Sequence, residues 1–255
     1  MNESYLKIKE DLHKMGIKKG DRVLVHSSLK SMGEIDGGVT TFINAIKDAV
    51  TREGTLLFPT FTFDFVTVKN PVFDVRYTQS CVGYIPEAFR HTEGVKRSLH
   101  PTHSVAVWGK DRDRYIQNHY EDDTCLGPNS PLFKLKEDNG KILMIGCGIN
   151  HNTLLHGLEV YLKPPYALSV DYTDPKYHRE YSCIDENGNI FRKNFYHVYL
   201  HEHGFVSDFD KLREICPIEK GHILKAESFI MNAREVWDTG LNKMKEDPFF
   251  FVRKF

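Results

Sequence analysis

The chain has 255 residues, of which 40% are hydrophobic, and its 34 basic and 35 acidic residues leave a formal net charge of -1. This length suffices for one large domain or two small ones, and the composition is that of a globular protein. The balanced charge excludes the basic surface with which proteins bind nucleic acid. The five cysteines form no close pair, so we expect no disulfide framework and a reducing, cytoplasmic location. Since the N-terminal segment has no long apolar run, we expect neither a signal peptide nor a membrane span.

The first sixty residues alternate between helical and strand patterns. Apolar residues at helical spacing predict an opening helix that ends near Gly16, and the run RVLV then predicts a buried strand. A loop rich in Ser and Gly leads to a predicted helix over residues 39–50, with Thr40 or Thr41 near its cap, and GTLLFPTFTF predicts a second strand. This order of strand, helix and strand is typical of a parallel β-α-β unit.

The later segments predict further strands and helices around a less regular stretch. Residues 64–89 show no clear period and are predicted as a long, mostly irregular loop. SVAVWG and KILMIGCG predict strands, and HNTLLHGLEVYL predicts a helix that stops at a pair of prolines. The turn ENG predicts an antiparallel hairpin, and the segment from ESFIM onward predicts a helix followed by an apolar tail. We therefore expect residues 1–255 to form one α/β domain with a hairpin elaboration.

A serine-rich turn follows the first predicted strand. His26, Ser27 and Ser28 stand at its carboxyl end, where ligands of open α/β sheets bind. Hydroxyls and free backbone N–H groups in such a turn suit a phosphate or a pantetheine chain, although a plain turn capped by serine fits the same residues. Because the sequence has neither a Walker lysine motif nor GxGxxG, it gives little support to a nucleotide site.

The helix after KILMIGCG carries a polar stripe. Asn152, His156, Glu159 and Lys163 recur at spacings that place them on one helix face. An amphipathic helix with a solvated polar face is the simpler interpretation. The functional interpretation is a histidine that titrates near neutral pH beside a carboxylate and removes a proton from an attacking amine.

A metal site and an acidic cleft are two further interpretations. The spacing from His156 to Glu159 is also that of a zinc-peptidase ligand pair, to which His201 or His203 could add a ligand. With 13 histidines in the chain, chance pairings are common, and we expect no metal. Carboxylates around a cleft would attract a cationic aminosugar. The candidates for this role are Asp64, Glu121, Asp122 and Asp123.

An ordered series of segments resembles the aminoglycoside 3-N-acetyltransferase family, also called the antibiotic N-acetyltransferase family. The matching segments are GDRVLVHSSLKSMGEIDGG, GTLLFPTFTF, RSLHPTHSVAVWG, LGPNSPLFKL, KILMIGCGINHNTLLHGLE, GHILKAESF and the terminal EDP. The resemblance implies a single three-layer α/β/α domain with a mostly parallel central sheet and an antiparallel hairpin elaboration, unlike the Gcn5-type fold. It also implies direct transfer of acetyl from acetyl-CoA to an amine, without an acyl-enzyme.

The resemblance also implies roles for individual residues. His156 matches the histidine that deprotonates the amine, and Glu159 matches a carboxylate that assists it. The loop that handles coenzyme A corresponds to His26, Ser27, Ser28, Ser31 and Gly33, and polar positions near the thioester correspond to Thr60, Thr62 and Ser104. Thr60 or Thr62, and with less support Thr153, would lie near the developing oxyanion.

The expected partners are therefore coenzyme A and a small aminoglycoside or other aminosugar, with neither nucleic acid nor membrane. The sequence leaves open whether the chain forms a homodimer and which amine is acetylated. Two other functions stay open at this stage: a zinc-dependent deacetylase or hydrolase, and a non-catalytic sugar-binding relative that keeps the fold.

Overall fold

A computed structural model describes residues 2–167, 179–195 and 204–255 of the chain. In these ranges the chain forms strands β1 to β12, which are Arg22–Ser27, Thr55–Pro59, Val72–Asp74, Lys96–Arg97, Val105–Gly109, Lys141–Ile145, Arg179–Ile184, Ile190–Phe195, Phe205–Ser207, Glu219–Ile223, Ala226–Asn232 and Val252–Lys254. The α-helices α1 to α8 are Glu3–Lys14, Leu29–Met32, Gly38–Val50, Tyr84–Arg90, Arg112–Ile116, Pro131–Glu137, His156–Leu162 and Ala233–Glu246. Among these helices, none combines the length and apolar character needed to cross a membrane.

Seven strands form a central mixed sheet in the order β10-β11-β6-β1-β2-β5-β4. β1 runs parallel to both of its neighbours, β6 and β2, whereas β5 is antiparallel to β2 and β11 is antiparallel to β6. The α/β class is confirmed, but the expectation of a mostly parallel sheet was wrong. The strand patterns reveal buried runs but not direction. β5 and β11 begin at the edge where β2 and β6 end, so they run opposite to those strands.

Side-chain alternation along the strands gives the sheet two apolar faces. Val23 and Val25 of β1 pack with residues of α1, α3 and α4 on one face. Leu24, between them, packs on the other face with residues of α5 to α8. Because successive side chains of a strand point to opposite sides, helices cover both faces and the fold is the predicted three-layer α/β/α arrangement.

Several predicted elements have other boundaries or another type in the structure. The predicted irregular loop at residues 64–89 contains β3 and α4, and Gly37, not a threonine, stands at the cap of α3. The segment ESFIMN was predicted as the start of a helix but forms β11. This strand lies between β10 and β6, and four consecutive residues of it are buried, so no alternation marks it as a strand.

The predicted hairpin is confirmed as β7 and β8, which with β3 form a separate three-stranded sheet. A buried aromatic cluster attaches it to the rest of the fold. The ring of His100 stacks on His119 with centroids 4.7 Å apart and meets Phe195 of β8 edge-on at 5.1 Å. Nδ1 of His119 lies 2.8 Å from the Ser98 hydroxyl, and its buried Nε2 has no hydrogen-bond partner within residues 2–167, 179–195 and 204–255.

The buried His119 predicts acid-sensitive stability. Burial, with smaller contributions from Lys134 and His103, lowers the pKa of His119 well below its ordinary value of 6.5. Below about pH 6.5, His119 therefore binds a proton in the unfolded chain but not in the folded chain. The free energy of unfolding keeps its full contribution from this residue above that pH and decreases as the pH falls below it. We expect a loss of up to about 1.4 kcal/mol per pH unit from this residue.

Urea unfolding at a series of pH values between 7 and 5 measures this effect. His119→Gln should flatten the dependence of the unfolding free energy on pH even if it lowers the value at pH 7, whereas the same change at the exposed His222 should leave the slope intact. An unchanged slope in His119→Gln would show that this histidine is not held neutral by the fold.

Candidate active site

A cavity of about 290 Å³ opens at the edge of the sheet where β1, β2 and β6 end. This edge carries the carboxyl ends of the three parallel strands, where open α/β sheets bind their ligands. The loops after these strands and the residues before β5 supply the walls. The lining residues are Val25, His26, Ser27, Pro59, Phe61, Phe63, Val82, Pro86, His103, Cys147, Asn150, His151, Thr153 and His156.

His156 and Glu159 form a close pair at one side of this cavity. Nδ1 of His156 lies 2.6 Å from Oε2 of Glu159, and the imidazole side chain is 28% exposed whereas the carboxylate side chain is 0% exposed. Because a carboxylate only accepts hydrogen bonds, Nδ1 carries the proton in the neutral ring. Nε2 is therefore the nitrogen left to accept a proton from a ligand.

The surrounding structure holds the histidine ring in place. His156 begins α7 directly after an irregular turn that follows β6, so the predicted continuous helix starts later than its pattern suggested. Phe209 meets the ring edge-on with centroids 4.9 Å apart. The backbone N–H of Phe209 donates to Oδ1 of Asn150 at 2.8 Å, which ties that ring to the loop after β6.

Asn152 and Lys163, the other members of the predicted polar stripe, do not join the site. Asn152 is fully buried, and its side chain accepts from the N–H of Leu154, which caps the turn before α7. Lys163 ends the helix in a left-handed conformation with φ 51°. Of the four residues of the stripe, His156 and Glu159 therefore belong to the site. Asn152 and Lys163 stabilise or end the helical segment.

His26 lies in the cavity wall as a neutral base or donor. Burial, and then the charge of His151, lower the pKa of His26 to about 3. Its Nε2 lies 3.3 Å from the hydroxyl of Thr153, which stands three residues before His156. A neutral imidazole at this position can orient the Thr153 hydroxyl with respect to the cavity.

The serine turn divides into a residue that faces the cavity and residues that hold the turn. Ser27 lines the cavity, and its buried hydroxyl has no hydrogen-bond partner among the described residues. The hydroxyl of Ser31 lies 2.9 Å from both the Ser28 hydroxyl and the carbonyl of Gly146. Gly33 packs against the side chain of Lys225, away from the lining residues.

Thr60, Thr62 and Ser104 use their hydroxyls in hydrogen bonds within the protein, and their expected place near the thioester stays a prediction. The Thr60 hydroxyl donates to the carbonyl of Ser104 at 3.0 Å, and the Thr62 hydroxyl donates to the carbonyl of Pro101. Nε of the buried Arg97 donates to the hydroxyls of Thr60 and Ser104, at 3.1 and 2.9 Å. None of the three residues lines the cavity, because these bonds hold their hydroxyls behind its wall.

The four predicted acids do not line the cavity. Asp64, Glu121 and Asp123 are exposed. The carboxylate of Asp122 is buried and accepts hydrogen bonds from the backbone and side-chain N–H groups of Asn129 at 3.0 Å, so it holds a turn and is not available to a ligand.

Aromatic residues form a wall that the motif analysis missed. The ring of His103 lies 4.7 Å from Phe61 and 5.9 Å from Phe63, measured between centroids, and Phe63 is 44% exposed. His103 stands in the quoted segment HPTHS, and Phe61 and Phe63 alternate with threonines after β2. That alternation was the available signal, because it directs the two rings to the same side.

The zinc interpretation gains no support from the described residues, in which no three histidine, cysteine or acidic side chains are grouped so as to hold a metal. His201 and His203, which could add a ligand to such a site, lie outside the described residues. The expectation of no metal therefore stays a prediction, and the zinc site stays an untested alternative.

Comparisons with known proteins agree on one family. The model of the family described as aminoglycoside 3-N-acetyltransferase matches residues 24–245. Aminoglycoside N(3)-acetyltransferase VII from Streptomyces paromomycinus is 29% identical over 94% of this chain and 91% of its own length. The prophage-derived aminoglycoside N(3')-acetyltransferase-like protein YokD from Bacillus subtilis is 32% identical over 73% of this chain and 77% of its own length.

Solved structures show the same relationship. The crystal structure of YokD matches with a TM-score of 0.79 and 27% identity, covering 96% of this chain and 94% of that chain. The crystal structure of the aminoglycoside acetyltransferase AAC(3)-Xa matches with a TM-score of 0.78 and 26% identity, covering 95% of this chain and 92% of that chain. The chain is therefore an acetyltransferase that belongs to the aminoglycoside 3-N-acetyltransferase family.

Proposed function

We propose that this enzyme transfers acetyl directly from acetyl-CoA to an amine of an aminoglycoside or another aminosugar, with His156 as the general base. The observation that carries the proposal is the hydrogen bond from His156 to the buried Glu159 at the wall of the cavity. A protonated amine is no nucleophile, so a base that works near neutral pH must remove its proton.

The proposed proton transfers use one nitrogen of one side chain. The ammonium form of the acceptor first releases one proton through His156 to solvent. As the neutral amine then bonds to the acetyl carbon, its nitrogen gives a second proton to Nε2 of His156. Nε2 returns this second proton to the sulfur of coenzyme A when the carbon–sulfur bond breaks. Glu159 holds Nδ1–H throughout and stabilises the imidazolium that exists between the two transfers.

Thr153 replaces Thr60 and Thr62 as the proposed hydroxyl donor to the oxygen that gains negative charge. It lines the cavity, whereas the hydroxyls of Thr60 and Thr62 are committed to backbone carbonyls. Neutral His26, as its Nε2–H tautomer, can donate to the Thr153 oxygen and direct the threonine proton toward the cavity. Such a preorganised donor is among the largest contributions to acyl transfer.

The serine turn supports the use of acetyl-CoA as acetyl donor. The buried Ser27 hydroxyl lines the cavity and has no partner in the described ranges of the chain, so it suits an amide or carbonyl of a pantetheine arm. One structural relative, at 23% identity, was solved as "AAC-IIIb binary with CoASH". We propose that His26 and Ser27 contact the arm, while Ser28, Ser31 and Gly33 shape the turn.

The aromatic wall supports an acceptor that contains sugar rings. Phe63 and His103 present partly exposed rings at the cavity, which can stack on a sugar or lie beside its ammonium groups. The exposed Asp64 follows Phe63 directly and can attract a cationic acceptor to this wall. Relatives at 23% and 22% identity were solved with a gentamicin and with sisomicin, respectively.

The proposed location is the cytoplasm. All five cysteines are free thiols in the structure, which is typical of a reducing compartment.

His156→Ala should lose about two or more orders of magnitude in kcat, because the amine then keeps its proton. A thiol-release assay with acetyl-CoA across aminoglycosides, simple aminosugars and nucleotide aminosugars identifies an acceptor and measures this loss. Binding of coenzyme A, measured by calorimetry, should persist in the variant, and the exposed His222→Ala serves as control. Near-normal transfer by His156→Ala would show that another group is the base.

Thr153→Val should lower kcat about a hundredfold with little change in the KM for acetyl-CoA, because the lost hydroxyl acts mainly on the charged oxygen of the transition state. Thr153→Ser keeps a hydroxyl at this position and should retain most of the activity. Steady-state measurements of kcat and KM for the two variants, with the same acceptor, test whether the hydroxyl is what matters at this position. Equal loss in both, or full activity in Thr153→Val, would contradict this role of Thr153.

A further inference from the structure

Two buried polar atoms behind His156 make no hydrogen bond of ordinary geometry within the part of the chain that the structure describes. One is Oε1 of Glu159, the oxygen that does not contact the histidine, and the other is the hydroxyl of Tyr166. Both residues are almost fully buried, with 0% and 1% of their surface exposed. A buried polar atom without a partner is costly, and a buried carboxylate oxygen is especially so. Each of the two atoms is the complement of the other, since one accepts and one donates.

The chain path after α7 carries Tyr166 back toward Glu159. The helix ends at Lys163, whose left-handed conformation, followed by two prolines, turns the chain, and the N–H of Ala167 closes the turn on the carbonyl of Pro164 at 3.1 Å. The Tyr166 ring packs against Phe205 and Phe249, with centroids 5.6 and 5.5 Å away, and these two rings also contact each other.

The electrostatic environment keeps the Tyr166 hydroxyl protonated. Burial, then the negative charge of Glu159 and hydrogen bonding with that carboxylate, raise the pKa of Tyr166, and Asp247 adds to the effect. The other titratable groups around the carboxylate are His156 and Cys125, and burial together with Glu159 raises the pKa of the Cys125 thiol to about 12. Of these groups, the tyrosine is the strong hydrogen-bond donor that is not already engaged.

We propose that Tyr166 is a positioning residue, whose hydroxyl donates to Oε1 of Glu159 and so fixes the carboxylate that holds His156. The proposal rests on the proposed function, in which His156 is the base. With both oxygens engaged, the carboxylate cannot rotate, and the imidazole keeps its Nε2 aimed at the cavity. The donated bond also draws negative charge away from Oε2, which limits how strongly Glu159 favours the imidazolium form.

Tyr166→Phe removes this one hydroxyl and keeps the packed ring. We expect kcat to fall about tenfold, the effect of one hydrogen bond to a charged group. We also expect the acid limb of the kcat/KM profile to move to higher pH, because the unshared charge on Glu159 then favours the imidazolium. The KM for acetyl-CoA should not change, since Tyr166 does not line the cavity.

Tyr115→Phe is a matched control. Tyr115 is also fully buried, and its hydroxyl donates to Oδ2 of Asp138 at 2.7 Å, but neither residue lines the cavity. This variant should lose thermal stability while keeping the wild-type kcat and pH profile. An altered pH profile in Tyr115→Phe would show that the profile reports general destabilisation, which would overturn the test of Tyr166.

A double-mutant cycle with Glu159→Gln tests whether the two residues act as a unit. Tyr166→Phe should have little further effect on kcat in the Glu159→Gln background, and additive losses would overturn the proposal. If Tyr166→Phe keeps the wild-type kcat and pH profile while His156→Ala is inactive, the proposed role of Tyr166 is wrong but His156 is still supported as the base. Near-normal transfer by His156→Ala would overturn the proposed base, whatever Tyr166→Phe does.

Discussion

The hydrogen bond from Nδ1 of His156 to Oε2 of Glu159 is the contact on which the rest of the site depends. Its two atoms lie 2.6 Å apart, with the carboxylate wholly inside the protein and the imidazole at the wall of the cavity. Burying a carboxylate is unfavourable unless it is paired, so the fold places a donor against it. The pairing also fixes the neutral imidazole as its Nδ1–H tautomer, so Nε2 is the nitrogen that can accept a proton from a ligand.

The packing of α7 against α8 explains why the sequence has glycines near this pair. Gly157 follows His156 directly, and a Cβ atom there would lie 2.7 Å from Cζ3 of Trp237 on α8. In the same interface, a Cβ on Gly240 would lie 2.6 Å from Cδ1 of Leu158. Two glycines thus let α7, the helix that begins with His156, approach α8 closely.

The elements that depend on local pattern were predictable, and those that depend on distant pairing were not. KILMIGCG forms a strand as predicted because its apolar run is buried on both faces, and the spacing from His156 to Glu159 makes them neighbours on one helical turn. The aromatic wall was missed because Phe63 and His103 meet only where β5 pairs antiparallel to β2. The hydrogen bonds from Arg97 to the hydroxyls of Thr60 and Ser104 were not predictable, because Arg97 is a long way along the chain from Thr60.

A crystal structure of the enzyme with coenzyme A and an aminoglycoside that it acetylates would test the central claim most directly. The proposed mechanism predicts the acceptor amine within about 2.6–3.2 Å of Nε2 of His156. It also predicts the coenzyme A sulfur in the same cavity, with the pantetheine arm against Ser27. A sulfur bound in another groove, or an amine whose nearest base is not His156, would contradict it.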